Sequence, residues 1–436
     1  MNILIIVIYF LSGIYIGISL IKRNKKNNIV GCYSGITFGI ILYYCFIPTI
    51  SLIFIKKISV QYPDIEQFIG SKNVLEMIFP IILILMGFFL YNCAYNQANK
   101  RSTLNNSEYN SGKIRKISSM VGFFSLIIGG ISLVIFIRAF GGVKQAFSYA
   151  ETVRSFNTNL SDYVQGNIAI LIIPARLVTV SPFAFFILLN EKETKNKVIY
   201  RIFFAVSLVL AIIYFIFNAG RAPLLCFLLS FALVYIYKVK KKPWKFIVVL
   251  AIVSLPILDV LDSFSLYLQS GNWRTSSSNY INYIYQFIHP FKNIVNMVNI
   301  VDIYGMRYGK DFVTAILGMI PGINFPTSYE NTSIFFNGKD WRMVGGTPND
   351  LVTFGYIEFG IVGVFLIFII LGYFSGVIDK IIKNMPDGDI KNFISTTMMI
   401  QILTIIPNAD FISIVRGGFI LIFISIIILN SYKRRK

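Results

Sequence analysis

The sequence predicts an all-α polytopic membrane protein of about eleven transmembrane helices, with one large outer loop containing amphipathic helices. Three observations predict it. Apolar runs of about twenty residues recur along the chain, the length needed to cross a hydrocarbon core of roughly 30 Å. Hydrophobic residues make up 56% and charged residues 14% of the 436, and the mean hydropathy is +0.68. That balance excludes an ordinary soluble globular domain. Finally, 25 of the 40 lysines and arginines fall in six short clusters between or after the apolar runs. The formal charge of +20 therefore marks cytoplasmic loops rather than a nucleic-acid partner.

In order, the spans read as approximately 3–21, 29–55, 73–96, 119–140, 166–189, 201–219, 222–237, 246–262, 351–378, 392–408 and 412–430. The basic clusters are Lys22 to Lys26, Lys100 to Lys116, Lys192 to Arg201, Lys238 to Lys245, Lys380 to Lys391 and Lys433 to Lys436. Each follows an odd-numbered span, so all six lie on one face. An odd count with a basic C-terminus puts the N-terminus outside and the C-terminus in the cytoplasm. Met1 to Leu20 has no basic stretch before it and runs directly into Lys22, so it reads as a span rather than a cleaved signal. Cys32, Cys45, Cys93 and Cys226 sit in or beside apolar runs without metal-ligand spacing and read as small buried hydrophobes. No internal repeat supports an inverted-repeat transporter. The organisation is a bundle of about eight spans over 1–262, a large outer loop over 263–349, and the last three spans with a basic tail over 350–436.

Within the loop, apolar and aromatic residues from Tyr280 to Val301 recur at helical intervals with His289, Lys292 and Asn293 between them. This predicts an amphipathic helix on the membrane surface or on the bundle. A second short helix is expected around Asp311 to Met319, ended by Pro321-Gly322. Ser328 to Asp350 reads as turn-rich and irregular.

The candidate chemistry lies at the outer level. Arg221, in "NAGRAPLL" at the outer ends of two consecutive spans, is either a phosphate contact beside a helix N-terminus or a hairpin anchor. Arg416, in "IVRGGF", lies about one turn inside the last span and either contacts substrate or pairs with Asp410. Arg274 and Arg342 each follow a tryptophan in a polar loop, a guanidinium for phosphate beside a flat face for a sugar, or an interface anchor. Arg307 in "YGMRYGKDF" carries the same two readings. His289 is a candidate general base or a packing residue on its helix. Asp350 and Glu358 are further candidate bases, beside Asp259, Asp262 and Glu330. Glu358 is read two turns deep in an apolar helix, where a carboxylate needs a partner or a wet site. Asp387-Gly388-Asp389 spells an Asp-x-Asp, but Pro-Asp-Gly in a short inside loop reads as a turn. No nucleotide-binding, hydrolase or metal motif is present.

"NAGRAPLL", "VGGTPNDLVTFGYIEFGIVGV" and "VRGGF" resemble three features of the Wzy-type repeat-unit polymerases of O-antigen and capsule synthesis. These are a small-Gly-Arg turn, a Gly-rich segment entering a span with Phe-Gly-x-x-Gly, and an arginine early in a late span. The resemblance covers about 165–430 and rests chiefly on arrangement. It implies a GT-C-like, metal-independent glycosyltransferase without cofactor on the outer face of the bacterial cytoplasmic membrane. Its substrates would be undecaprenyl-diphosphate-linked oligosaccharides, with membrane lipids, a flippase and a chain-length regulator as partners. It further implies that outer-loop arginines contact the diphosphate, here Arg221, Arg274, Arg307, Arg342 and Arg416. The acid the family carries near the start of the ninth span is represented only by Asp350 and Glu358, displaced from that place, and His289, the other candidate base, matches no family position. An O-antigen-ligase-like transferase and a non-enzymatic lipid-oligosaccharide flippase or transporter are the alternative readings.

Overall fold

The computed structural model describes residues 2–27, 31–56, 71–101, 107–148, 171–218, 221–239, 260, 263–264, 267, 287–317, 327–338, 346–411, 414 and 418–434. The first half of the chain, in these residues, contributes α1 (Asn2–Asn27), α2 (Cys32–Ile53, with a π-helical turn at Leu42–Phe46), α3 (Val74–Arg101), α4 (Ser111–Ala139), α5 (Val143–Ser148), α6 (Ile172–Asn190), α7 (Lys197–Phe217) and α8 (Arg221–Val239). The second half contributes α9 (His289–Tyr304), α10 (Lys310–Leu317), α11 (Ser328–Asn337), α12 (Leu351–Asn384), α13 (Asp389–Ile405) and α14 (Phe419–Asn430). One small antiparallel ladder joins β1 (Ser107–Tyr109) to β2 (Tyr432–Arg434).

Seven helices, α1 to α4, α6, α7 and α12, are long and apolar enough to cross a membrane. The expected spans 222–237 and 412–430 correspond to shorter apolar helices in α8 and α14, and 392–408 corresponds to α13. The expected span 246–262 lies outside the described residues, except for Val260.

In a bilayer, lipid tails are as apolar as leucine, so close backbone approach and polar contacts hold helices together more than burial does. The longest helix pairing follows that rule. Gly372 and Gly376, one turn apart on α12, face α3 so closely that a Cβ would lie 2.4 Å from the Tyr91 carbonyl oxygen and 2.6 Å from that of Tyr95. α2 meets α13 in the same way at Gly35, where a Cβ would lie 2.5 Å from the Met399 oxygen. Two apolar cores result. One gathers Tyr9, Tyr44, Phe88, Phe291 and Phe368; the other gathers Phe183, Tyr214, Phe227, Phe393 and Phe423.

Five of the six basic clusters share one end of the bundle. The ladder β1–β2 joins the connection after α3 to the C-terminal tail. Arg115 pairs with Glu193 at 3.3 Å, and the Lys380 Nζ donates to the Asn99 oxygen at 2.8 Å. Arg23 lies over the rings of Tyr33 and Tyr95 at 4.4 and 4.2 Å. The Lys238 to Lys245 cluster has no described side chain.

Three local expectations are corrected. Of the helix expected from Tyr280 to Val301, 280–286 lies outside the described residues; α9 begins at His289, and its buried face holds Asn293 and Asn296 as well as Phe291, Ile294 and Met297. Asn293 therefore belongs to the inner face, and α9 lies on the bundle, with Phe291 edge-on to Tyr9 at 5.8 Å. The segment from Ser328, read as irregular, opens with α11. Thr327 caps it, its hydroxyl accepting the Glu330 N–H at 3.3 Å, a Thr-x-x-Glu start signal. The third correction concerns Glu358. α12 is two helices, 351–358 and 361–384, meeting at a sharp corner at Phe359 (φ −143°, ψ 25°) and Gly360 (φ 62°, ψ −146°). Gly360 occupies the left-handed region that favours glycine. Gly363 folds back so closely that a Cβ there would lie 2.0 Å from the Gly355 oxygen. Glu358 thus ends a short helix, 351–358, rather than lying inside a continuous one.

Gly376→Leu should lower stability by about 1–3 kcal/mol, because the side chain has no room against α3. Thermal unfolding in detergent measures this; Gly112→Ala, at a site with no neighbour closer than the Asn110 Oδ1 at 3.8 Å, should leave the melting temperature unchanged or raise it.

Candidate functional site

At the end opposite the shared basic clusters, the segment 346–350 enters α12 beside the turn 406–410. The Asn349 N–H and Nδ2 donate to the two carboxylate oxygens of Asp410, at 2.8 and 2.7 Å. The Ala409 N–H returns to the Asn349 oxygen at 2.7 Å, and the Leu351 N–H to the Ile406 oxygen at 2.9 Å. The Thr332 hydroxyl of α11 donates to the Asn349 Oδ1. Asn349, Asp350 and Asp410 are at most 1% exposed. Asp350 caps α12, its Oδ1 accepting the N–H groups of Val352 and Thr353 at 2.9 and 3.2 Å. The Tyr44 hydroxyl donates to the same oxygen at 2.7 Å. Tyr44 lies in the π-helical turn of α2, a local widening often found at functional sites.

α9 closes this knot from the loop side. The Asn293 Nδ2 donates to the Pro348 oxygen at 2.7 Å. His289 places Nε2 2.9 Å from the Pro407 oxygen; a carbonyl only accepts, so this contact assigns the proton to Nε2.

A second cluster sits at the corner of α12. The N–H groups of Arg307 and Tyr308 donate to the oxygens of Ile357 and Glu358, both at 2.9 Å, satisfying carbonyls freed by the break. The Gly309 N–H donates to a Glu358 carboxylate oxygen at 2.7 Å. Arg307 Nε lies 2.5 Å from Asp311, whose other oxygen accepts the Ser328 N–H at 2.8 Å. One segment thus ties α10, α11 and the corner together.

Of the sequence-derived candidates, His289 and Asp350 meet in the knot, and Glu358 and Arg307 meet at the corner. The Arg307 guanidinium is engaged by Asp311. Arg221 is the first residue of α8, with its side chain outside the described set; Arg274, Arg342 and Arg416 also lie outside it. Among the described residues Asn349 partners Asp410; Arg416, the other partner expected for it, lies outside them. Asp387 holds Lys391 at 2.8 Å, and Asp389 begins α13, so the Asp-x-Asp is a turn entering a helix. Sequence reasoning missed Tyr44, Asn293, Asp311, Thr332 and Asn349. Asn349-Asp350 directly before an apolar run is a helix-start signal that could have been read; Tyr44 had none. Among the described residues no group of three or more His, Cys, Asp or Glu side chains is placed to hold a metal. No family model, curated protein or solved structure matches the chain.

Burial pushes Asp410 up to about 8, against the lowering effect of its hydrogen bonds from Asn349. Burial also raises Asp350 to about 6. An acid whose folded pKa exceeds its unfolded value holds its proton more tightly when folded. Its stability contribution is complete below the ordinary value near 3.8 and is lost as pH rises through the folded value. The melting temperature should therefore fall between pH 5 and pH 8, and Asp410→Asn should make that fall shallower throughout, most of all above pH 6, where Asp350 has already lost its proton in the folded chain. A native profile already flat above pH 6 would contradict the assignment.

Proposed function

We propose that the chain is a membrane glycosyltransferase of the repeat-unit polymerase type, with about eleven spans, its N-terminus outside and its C-terminus in the cytoplasm. It would join undecaprenyl-diphosphate-linked oligosaccharides on the outer face of a bacterial cytoplasmic membrane. The observation that carries this reading is the seating of the long loop. α9 and α11 are fastened by buried polar contacts onto the starts of two outer segments, at the end away from the basic clusters. A roof so fixed suits a cavity that must hold two lipid-borne sugars in register, since orientation alone contributes heavily to such a transfer.

In the proposed reaction an acceptor hydroxyl oxygen attacks the anomeric carbon of the donor sugar. The bond from that carbon to the diphosphate oxygen breaks and its electron pair leaves with the diphosphate. The hydroxyl proton passes to a nearby base, His289 or a carboxylate. The growing negative charge is met by guanidinium groups, for which Arg221, Arg274, Arg342 and Arg416 are the proposed carriers. Arg307 has the subordinate part of fixing Asp311 and the corner.

Incubation of the purified protein with lipid-linked repeat units should yield a ladder of polymer on a gel without any second acceptor. A ligase would need a separate acceptor lipid or protein, and a flippase would produce no new glycosidic bond. Alanine at Arg221, Arg274, Arg342 or Arg416 should shorten or abolish the ladder, by about tenfold or more in rate for each direct contact to the departing charge. Unchanged long chains in all four variants would refute the proposal.

A further inference from the structure

α10 is eight residues long, about 12 Å at 1.5 Å per residue, far too short to cross a bilayer. Its two faces are unlike. Asp311 and Ala315, one turn apart, are buried, and Asp311 is fixed by Arg307 and Ser328. Val313, Ile316 and Leu317 point outward, with Val313 and Ile316 nearly 60% exposed. The patch extends to Tyr308, which is 68% exposed. A contiguous outward apolar surface of this kind marks an interaction site.

Its position selects the partner. The turn before α10 lies against the corner of α12, with three hydrogen bonds from 307–309 to Ile357 and Glu358. The Phe359 ring borders Gly309. From that corner the span-length helix 361–384 departs with Val362 62% exposed and Ile370 50% exposed. The turn that leads into α10 is therefore fixed at the corner from which a helix apolar enough to cross a membrane departs, itself with exposed apolar residues. Lys310, which begins α10, and Asp302, near the end of α9, are exposed charges that precede the apolar residues in sequence. An amphipathic helix with this arrangement lies in the plane of the headgroup–acyl boundary, and Tyr308 suits the aromatic level of that boundary.

We propose that α10 is an interfacial membrane helix: Val313, Ile316 and Leu317 enter the acyl region of one leaflet, and Asp311 on the opposite face holds the helix to α11 and the α12 corner. The bound partner is the lipid bilayer itself. The inference needs only that the chain spans a membrane and is independent of any sugar chemistry.

Single cysteines test it in the full-length chain with Cys93 and Cys226 changed to serine. Val313→Cys, Ile316→Cys and Tyr308→Cys are labelled with a bimane and reconstituted in vesicles of phosphatidylcholine and phosphatidylglycerol; Asp302→Cys is the polar, exposed reference. All four sites are exposed, so the substitutions leave packing intact. At Val313 and Ile316 the ratio of quenching by doxyl-labelled lipid to quenching by aqueous iodide should exceed that at Asp302 by about threefold or more, as insertion by roughly 5–10 Å requires. Tyr308 should fall between. Iodide quenching at Val313 and Ile316 equal to that at Asp302 overturns the proposal, as does protection from both quenchers, which would place protein over the face.

Discussion

An ionisable or polar group buried among apolar helices must find its hydrogen-bond partners inside the protein, because neither lipid nor packed side chains supply any. The bundle is organised by how it meets that demand at four acids. Asp379, on α12, accepts the N–H groups of Cys32 and Tyr33 at 2.7 and 3.0 Å and the Tyr95 hydroxyl at 2.9 Å. It thereby caps the start of α2 from another helix. At the other end Asp350 caps α12 itself and receives Tyr44 from α2. α2 and α12 are therefore stitched at both ends, each time by a carboxylate at a helix N-terminus, where free N–H groups and the helix dipole both favour negative charge. The approach at Asp379 leaves no space for a side chain on Gly31, where a Cβ would lie 2.3 Å from the Asp379 oxygen.

The other two acids do the same for the loop. Asp410 binds Asn349, and Glu358 receives Gly309, so the segments flanking the long loop are held to the transmembrane bundle by neutral donors. The corner at Gly360 is part of this. Breaking α12 there frees carbonyls at Ile357 and Glu358, and the turn preceding α10 fills them. A straight helix would have no unpaired carbonyls to offer and the loop would lose that attachment. Close packing of Gly355 on Gly363 and the positive φ of Gly360 are thus what allow the loop to be built onto the bundle rather than merely tethered to it.

How far this was legible in the sequence follows from the range of each interaction. Membrane-spanning helices were readable because apolar length is a local property, and the common end of the five described basic clusters followed from alternation alone. α9 and α10 were readable from local periodicity, and α11 could have been, from Thr327 and Glu330. Tyr44 with Asp350, 306 residues apart, and Asp379 with Cys32, 347 apart, carry no local mark at all. Glu358 was singled out correctly as a carboxylate in need of a partner. Its depth was misread because "EFGIVG" keeps the apolar character of a helix while Gly360 breaks its geometry. Arg307 was read as a phosphate contact or an interface anchor; its partner, Asp311, stands one helical turn away and was in plain view as an i,i+4 pair.

The chemistry of the described knot also constrains the proposed reaction. Asp350, Asp410, Glu358 and Asp311 are acids, and the described cation paired among them is Arg307, already held by Asp311. An ionised carboxylate about 4 Å from a phosphate charge opposes it by about 4 kcal/mol at an effective dielectric of 20. Burial reduces that opposition by keeping Asp410, and partly Asp350, protonated near neutral pH. It does not replace it with attraction. In the proposed reaction the knot shapes the sugar site, accepts a proton and fixes the roof, but its acids do not by themselves hold a diphosphate. In the proposed polymerase that task must fall to guanidinium groups from elsewhere along the chain, which is why Arg221, Arg274, Arg342 and Arg416, rather than the acids, decide whether the reading stands.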